Sequence, residues 1–291
     1  MFNFSANNLS LLSRTECRSC VVFVMKDHHT KRVYRLYDFT KSQQIASDQV
    51  YCVFGKVNSA DKIYLVMESV RPDTKIECFP VRAGGMLQDS FYESLLFDAY
   101  VTEAGMRAEE EGFDAVVIDT VSDAGMAALR SHLSIPVIAP GLAAYTLAMS
   151  LGRHFSVLTQ WKGWRHLNLI PIETNYKLQK HCASVRAIEV PPEMEAQFPG
   201  LNSWGARGLI EKDPEWAFGA MADEARKAID EDGADTLIVA SLAMGPAAEY
   251  IRPRVEVPVI DPGPLAFALA ESLVDLGLSH SRLAYLYSGS D

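Results

Sequence analysis

One stretch of this chain occurs twice, and that most constrains its fold. Gly112-Phe113-Asp114-Ala115-Val116-Val117-Ile118-Asp119-Thr120 returns 121 residues later as Gly233-Ala234-Asp235-Thr236-Leu237-Ile238-Val239-Ala240-Ser241. Ile135-Pro136-Val137-Ile138-Ala139-Pro140-Gly141 returns 122 residues later as Val257-Pro258-Val259-Ile260-Asp261-Pro262-Gly263. Residues 115–119 form a largely unbroken apolar run, as expected of a strand covered on both faces of a parallel sheet. Each copy continues through a loop, a helix, a proline-led strand and an apolar helix (142–151 and 265–276). That is a β-α-β-α unit, whose right-handed crossovers make its sheet parallel. Two copies at this period exclude a solenoid. The expected fold is α/β, with two similar lobes of parallel sheet flanked by helices. The lobes are expected to be related by pseudo-twofold symmetry, with the active-site cleft between them. The expected division is 48–142 plus 264–285 for lobe one and 143–263 for lobe two, preceded by a basic extension, 1–47.

Other elements follow from spacing and punctuation. Residues 50–54 and 75–81 read as strands, and 60–70 and 89–111 as helices, the latter closed by Gly112. Residues 20–25 and 31–39 read as two short strands around a polar turn. Asp213-Pro214 opens a helix over 214–231, with Gly233 after its end. Residues 191–204, rich in Pro, Glu and Gly, read as a mobile loop that covers the site.

Composition narrows the function. The chain has 291 residues, 48% of them hydrophobic and 22% charged, with mean hydropathy +0.02. Such a chain has ample apolar material for a core and is not of the disordered class. It lacks the run of about 18 apolar residues that a spanning helix needs, so no membrane partner is expected. A net charge of −10 argues against nucleic acid as a partner. The first 47 residues carry +4, leaving −14 on the rest. The five cysteines, an odd number, and the lack of an obvious signal peptide point to a reducing compartment, hence a cytoplasmic protein. Organellar targeting by the basic extension remains open. Cys17 and Cys20 form an isolated C-x-x-C. No P-loop, G-x-G-x-x-G, H-E-x-x-H or clustered Cys/His set appears, so no metal or nucleotide cofactor is expected.

Ligands of open parallel sheets bind beyond the carboxyl ends of strands. Thr120 and Ser241 hold matched carboxyl ends, one per lobe. Their loops, with Val121 and Ser122 in one and Leu242 and Ala243 in the other, offer backbone N–H groups and helix N-termini to a small anion. The alternative is that the two hydroxyls only hydrogen-bond their own loops. Asp119 is either a base with a pKa raised by burial or a loop cap. Ser122 or Asp123, the latter preferred, reads as the N-cap of a helix over 124–133. After the strand 155–158, Trp161, Lys162, Trp164, Arg165 and His166 form either an anion-binding wall or a surface turn.

The repeat, with Arg153-His154-Phe155-Ser156-Val157-Leu158-Thr159 and the tail Leu276-Gly277-Leu278-Ser279-His280-Ser281-Arg282, resembles the Asp/Glu/hydantoin racemase superfamily, and most nearly its hydantoin racemase branch. The resemblance covers roughly residues 50–285. It implies a cofactor-independent two-lobed enzyme, assembled as a homo-oligomer, acting on a small carboxylate or cyclic amide. It implies one cysteine per lobe on opposite sides of the substrate Cα, one taking a proton and the other returning one. It also implies Thr159 as a substrate contact and Asn58 and Ser59 as contacts to a substrate carboxylate. The family's two cysteines fall on Thr120 and Ser241, and none of the five cysteines lies at either loop. A thiol of pKa near 8.5 is readily deprotonated with assistance; an alcohol needs a neighbouring base. The expected function is therefore racemase-like chemistry through an enolate-like intermediate, with Thr120, Ser241 and Asp119 as candidate catalytic residues. Lyase, decarboxylase or hydrolase activity on the same scaffold, or non-catalytic anion binding, are the alternatives.

Overall fold

The structure is a computed structural model that describes residues 20–26, 31–35, 70–71, 74–81, 88, 90–160, 162–191, 193, 213–242 and 244–286. The strand expected over 50–54, all but the last residue of the helix expected over 60–70, the contacts Asn58, Ser59 and Ala243, and most of the expected loop 191–204 lie outside the described residues.

Among the described residues nine strands form two sheets. The first has the order β2-β3-β1-β4-β5, from β1 (Cys20–Lys26), β2 (Lys31–Arg35), β3 (Thr74–Pro80), β4 (Ala115–Ile118) and β5 (Val137–Ile138). The second has the order β7-β6-β8-β9, from β6 (Phe155–Thr159), β7 (Cys182–Ala187), β8 (Thr236–Val239) and β9 (Val259–Ile260). Every pairing in the second sheet is parallel. In the first sheet β4 and β5 are parallel, as are β2 and β3. The two strands expected near the start of the chain are β1 and β2, an antiparallel pair, and β1 also runs antiparallel to β3 and β4. A short connection between β1 and β2 forces that reversal, since adjacent parallel strands need a long crossover.

The repeated segments become β4-α2-β5-α3 and β8-α6-β9-α7. The helices are α1 (Phe91–Gly105), α2 (Met126–His132), α3 (Pro140–Leu151), α4 (Arg165–Ile170), α5 (Pro214–Asp230), α6 (Gly245–Ile251) and α7 (Pro262–Leu276). Each β4 and β8 residue is buried, as continuous apolar runs require. Side-chain alternation divides each sheet's two faces. Val116, Ile118 and Val137 pack under α1 and α2, while Ala115, Val117 and Ile138 pack against Ala266, Phe267 and Ala270 of α7. In the second sheet Leu237, Val239 and Val259 pack under α5 and α6, while Ile238 and Ile260 pack with Ala144, Tyr145 and Ala148 of α3. Thus the last helix of each repeat covers the sheet of the other, and α3 and α7 lie against one another.

Local sequence explains the helix ends. Asp213 accepts from the Trp216 N–H and Pro214 opens α5. Helix α1 ends at Gly105, short of the expected 111. Glu109, Glu110 and Glu111 would crowd negative charge at the negative end of the helix dipole. Glu109 instead turns aside to bind the N–H and hydroxyl of Ser134. Near the end of the described residues His280 sets Nε2 against the carbonyls of Arg130 (2.8 Å) and Leu133 (3.0 Å).

Candidate active site

The loops after β4 and β8 begin at Thr120 and Ser241. Both residues are partly buried. The Thr120 hydroxyl is 2.9 Å from the Ser122 hydroxyl and accepts the Ser122 N–H at 3.3 Å. The Ser122 hydroxyl donates onward to Oε1 of Gln88 at 3.2 Å. A hydroxyl has one proton. Because that of Ser122 goes to Gln88, that of Thr120 goes to Ser122, which leaves Thr120 an oxygen lone pair. Thr120 therefore bonds its own loop and still keeps acceptor capacity. Gln88 is buried and holds φ at +55°, a conformation rare for residues other than glycine.

The second loop turns at once, the Ser241 N–H reaching the Val239 carbonyl and the Ser241 carbonyl accepting from Met244. The two loops share a foundation. Val121, next to Thr120, packs on the apolar cluster that contains Ala240, next to Ser241. Leu242 packs over Gly263 at the start of α7. Asp119 is partly buried at the end of β4.

Asp123 is not the N-cap of α2. That helix starts at Met126, after Gly125 at φ +70°, and has no side-chain cap. Asp123 instead accepts from the N–H groups of Gly141 and Leu142, both at 2.8 Å, at the start of α3. It also accepts from the Tyr176 hydroxyl at 2.7 Å. With φ at +56° its buried carboxylate turns away from α2, towards three stronger claims. Burial pushes its pKa up to about 6, against the pull of those donors. Gly141 is needed at this contact, because a Cβ there would strike the Val121 carbonyl and stand 2.8 Å from an Asp123 oxygen. Tyr176 follows a turn of π-helix (Pro171–Asn175), so this bond ties the β4 loop to the far lobe.

Thr159 ends β6, only 1% exposed, and its Oγ1 has no hydrogen-bond partner among the described residues. His166, in the first turn of α4, places Nδ1 2.5 Å from the Gly163 carbonyl. A carbonyl only accepts, so Nδ1 carries the proton. His166 Nε2 is buried and unpartnered among the described residues. Buried polar atoms are nearly always paired, and these two are exceptions among the described residues. Phe91, the first residue of α1, sets its ring 6.0 Å from that of His166. Lys162 and Arg165 are exposed and line a separate groove of about 580 Å³ along β7, together with Arg186, Glu224 and Asp232.

Gln88, Phe91 and Tyr176 were not singled out by sequence, because none lies in the repeated segments or follows a strand end. Cys182, at the start of β7, is a free thiol whose pKa burial pushes up to about 11, so it stays protonated near neutrality. Among the described residues no group of three His, Cys, Asp or Glu side chains is arranged to hold a metal ion, and no helix is long and apolar enough to cross a membrane.

Comparison with known proteins bears on the same region. The family model described as Asp/Glu/Hydantoin racemase matches residues 63–270, which include both loops. A hydantoin racemase from Pseudomonas sp. (strain NS671) is 28% identical over 215 residues, covering 74% of this chain and 80% of the relative. One from Rhizobium meliloti is 31% identical over 183 residues, covering 62% and 69%. Among solved structures, allantoin racemase from Pseudomonas fluorescens superposes with a TM-score of 0.66 at 30% identity, covering 78% of this chain and 89% of the other. Allantoin racemase from Klebsiella pneumoniae gives 0.62 at 26%, covering 79% and 89%. With matched strand ends, a shared foundation for the two loops and a family match across both, the chain belongs to the Asp/Glu/hydantoin racemase family.

Proposed function

We propose that the chain is an enzyme that binds a small carboxylate or cyclic amide beyond the carboxyl ends of β4, β6 and β8. There it stabilises an enolate-like form of the substrate without a cofactor. The observation that carries this reading is the pair of buried, unpartnered atoms, Thr159 Oγ1 and His166 Nε2. They are supported by the matched hydroxyls of Thr120 and Ser241 and by the substrates in the names of the hydantoin and allantoin racemase relatives.

Each group has a separable task. The Thr120 lone pair accepts a substrate N–H. The Thr159 hydroxyl donates to a carbonyl oxygen on which negative charge develops, and the loop N–H groups after Thr120 and Ser241 do the same. Fixed donors of this kind lower the barrier because they need no reorganisation when charge appears. The two lobes meet about a pseudo-twofold axis, which sets the hydroxyls on opposite sides of the reacting carbon. Asp119 serves as the base, since an alcohol does not remove a Cα proton unaided.

The test is NMR in D2O with the full chain and a panel of hydantoins, amino acids and malonates. The expected result is exchange of the Cα proton with loss of optical rotation. A new product without exchange would instead support hydrolysis. Binding with neither outcome would support the second reading, a non-catalytic binder, which is favoured by the alcohols at both cysteine positions. Thr120→Cys combined with Ser241→Cys is expected to introduce or raise hydantoin racemisation. A folded double variant that stays inactive would refute the opposed geometry.

A further inference from the structure

Strand β7 is an edge strand of the second sheet, with β6 on one side and no strand on the other among the described residues. Every residue of β6 and β8 is buried, but in β7 only Val185 is. The Ile188 N–H bonds the Thr159 carbonyl of β6. Main-chain bonding alternates along a parallel strand, so Ser184 and Arg186 also face β6, while Val185 and Ala187 turn their N–H and C=O groups outward. A groove of about 580 Å³ lies here. Every residue from 184 to 190 lines it, and successive strand residues point to opposite faces, so the groove follows the free edge.

Natural edges are commonly blocked by a charge, a proline or a bulge. The bulge of β7 falls at Ala183, between the pairings Phe155–Cys182 and Ser156–Ser184, and the next proline is Pro191. The one charge in the strand, Arg186, is turned onto the carboxylates of Asp232, Glu231 and Glu224. Residues 184–187 therefore stand unblocked.

Charge is divided along this edge. Beyond its carboxyl end lie Lys162 and Arg165, exposed and without an ion pair among the described residues, against one acid, Glu189. Helix α5 runs back to the amino end, where it leads into β8. There Asp230, Glu231 and Asp232, with Glu224, give four carboxylates against two cations, Arg186 and Lys227. A twofold axis through the middle of the edge reverses the second strand. It sets the basic end of each copy against the acidic end of the other.

We propose that β7 is the surface on which this chain pairs with a second copy of itself, antiparallel and edge to edge. The pairing joins two four-stranded sheets into one. Lys162 and Arg165 of each copy face Asp230 and Glu231 of the other. The main chain of Val185 and Ala187 supplies the hydrogen bonds, and the charges select the partner and its register.

The experiment is sedimentation velocity of the full chain over a range of concentrations, with amide hydrogen exchange read at Val185 and Ala187. The expected result is a reversible dimer that weakens with salt, because exposed charges are screened. Protection of both amides should rise with protein concentration. Lys162→Glu with Arg165→Glu should weaken the dimer at least about tenfold, and so should Asp230→Lys with Glu231→Lys, since like charges then meet. Mixing the two double variants should restore a dimer to within about threefold of the parent, because opposite signs again meet at both ends. All four side chains are exposed, so each variant should keep its fold, and recovery on mixing shows that it has. A monomer at every concentration, a dimer unaffected by either reversal, folded variants that do not recover on mixing, or amide protection independent of concentration would each overturn the inference.

Discussion

The two repeats begin their last helices in the same way and secure them differently. Helices α3 and α7 both open on Pro-Gly, and in both the glycine N–H donates to an aspartate. For α7 that aspartate is Asp261, the local N-cap, two residues before the glycine. For α3 the N-cap position holds Ala139, and the carboxylate comes from Asp123, 18 residues upstream in the loop that also carries Thr120. The glycine–carboxylate contact recurs too. Gly245, at the start of α6, has no room for a Cβ, which would stand 2.8 Å from Asp261. The lesson is that one cap is local and the other comes from far along the chain. Asp123 fixes the Thr120 loop against α3 and, through Tyr176, against the opposite lobe, whereas Asp261 caps its own helix and packs closely on Gly245.

Glycine substitution should break this comparison most sharply. Gly141→Ala drives a methyl group into the Val121 carbonyl and Asp123 and should cost about 3 kcal/mol. Gly263→Ala meets nothing closer than 3.4 Å and should change stability by no more than about 0.5 kcal/mol. Urea unfolding of both variants measures the difference, and equal losses would show that the tight approach is not needed. Removing the carboxylates comes next. Asp123→Ala strands one buried and one partly buried N–H group and a tyrosine hydroxyl and should cost about 2 to 3 kcal/mol. Asp261→Ala removes a local cap of α7 and should cost about 1 kcal/mol.

The pH dependence is a gentler probe of the same asymmetry. The folded pKa of Asp123, about 6, lies above its ordinary value of 3.8. The folded state thus holds this proton more tightly than the unfolded chain does. The stabilisation is complete below about pH 4 and is lost as pH rises through 6, with a slope of at most about 1.4 kcal/mol per pH unit. Asp123→Asn should flatten that part of the stability profile, whereas Asp261→Asn should leave it in place. A profile unchanged by Asp123→Asn would assign the titration elsewhere.

Much of this fold is legible from local signals. Strands β4 and β8 announce themselves because strands covered on both faces need unbroken apolar runs. The Asp213-Pro214 start of α5 is readable because its cap lies three residues from the N–H it serves. The correspondence reaches further than the apolar runs. Arg130 donates to the Val137 carbonyl and Arg252, its counterpart 122 residues later, donates to that of Val259. What sequence does not disclose depends on distance along the chain. Asp123 looks like the cap of the helix beside it, and only packing shows that α3 offers it two N–H groups and Tyr176 a third donor. Of the candidate site, Thr120, Ser122 and His166 are legible because they follow strand ends, and Thr159 is named only by the family resemblance. Gln88 and Phe91 carry no such mark, since their place is set by where α1 begins.

The exchange of final helices between the lobes has a consequence for how the chain comes into being. During synthesis from the amino terminus, β4 and β5 emerge long before the surface that seals them. The face formed by Ala115, Val117 and Ile138 must wait for Ala266, Phe267 and Ala270. In that interval α3 is already waiting for the second sheet, with Ala144, Tyr145 and Ala148 uncovered. Contacts so distant in sequence slow folding and leave apolar surface open to association. Neither half seals its own sheet, so a nascent chain released just before α7 carries the open face of β4 and β5, and fragments split between the repeats should regain structure only when mixed.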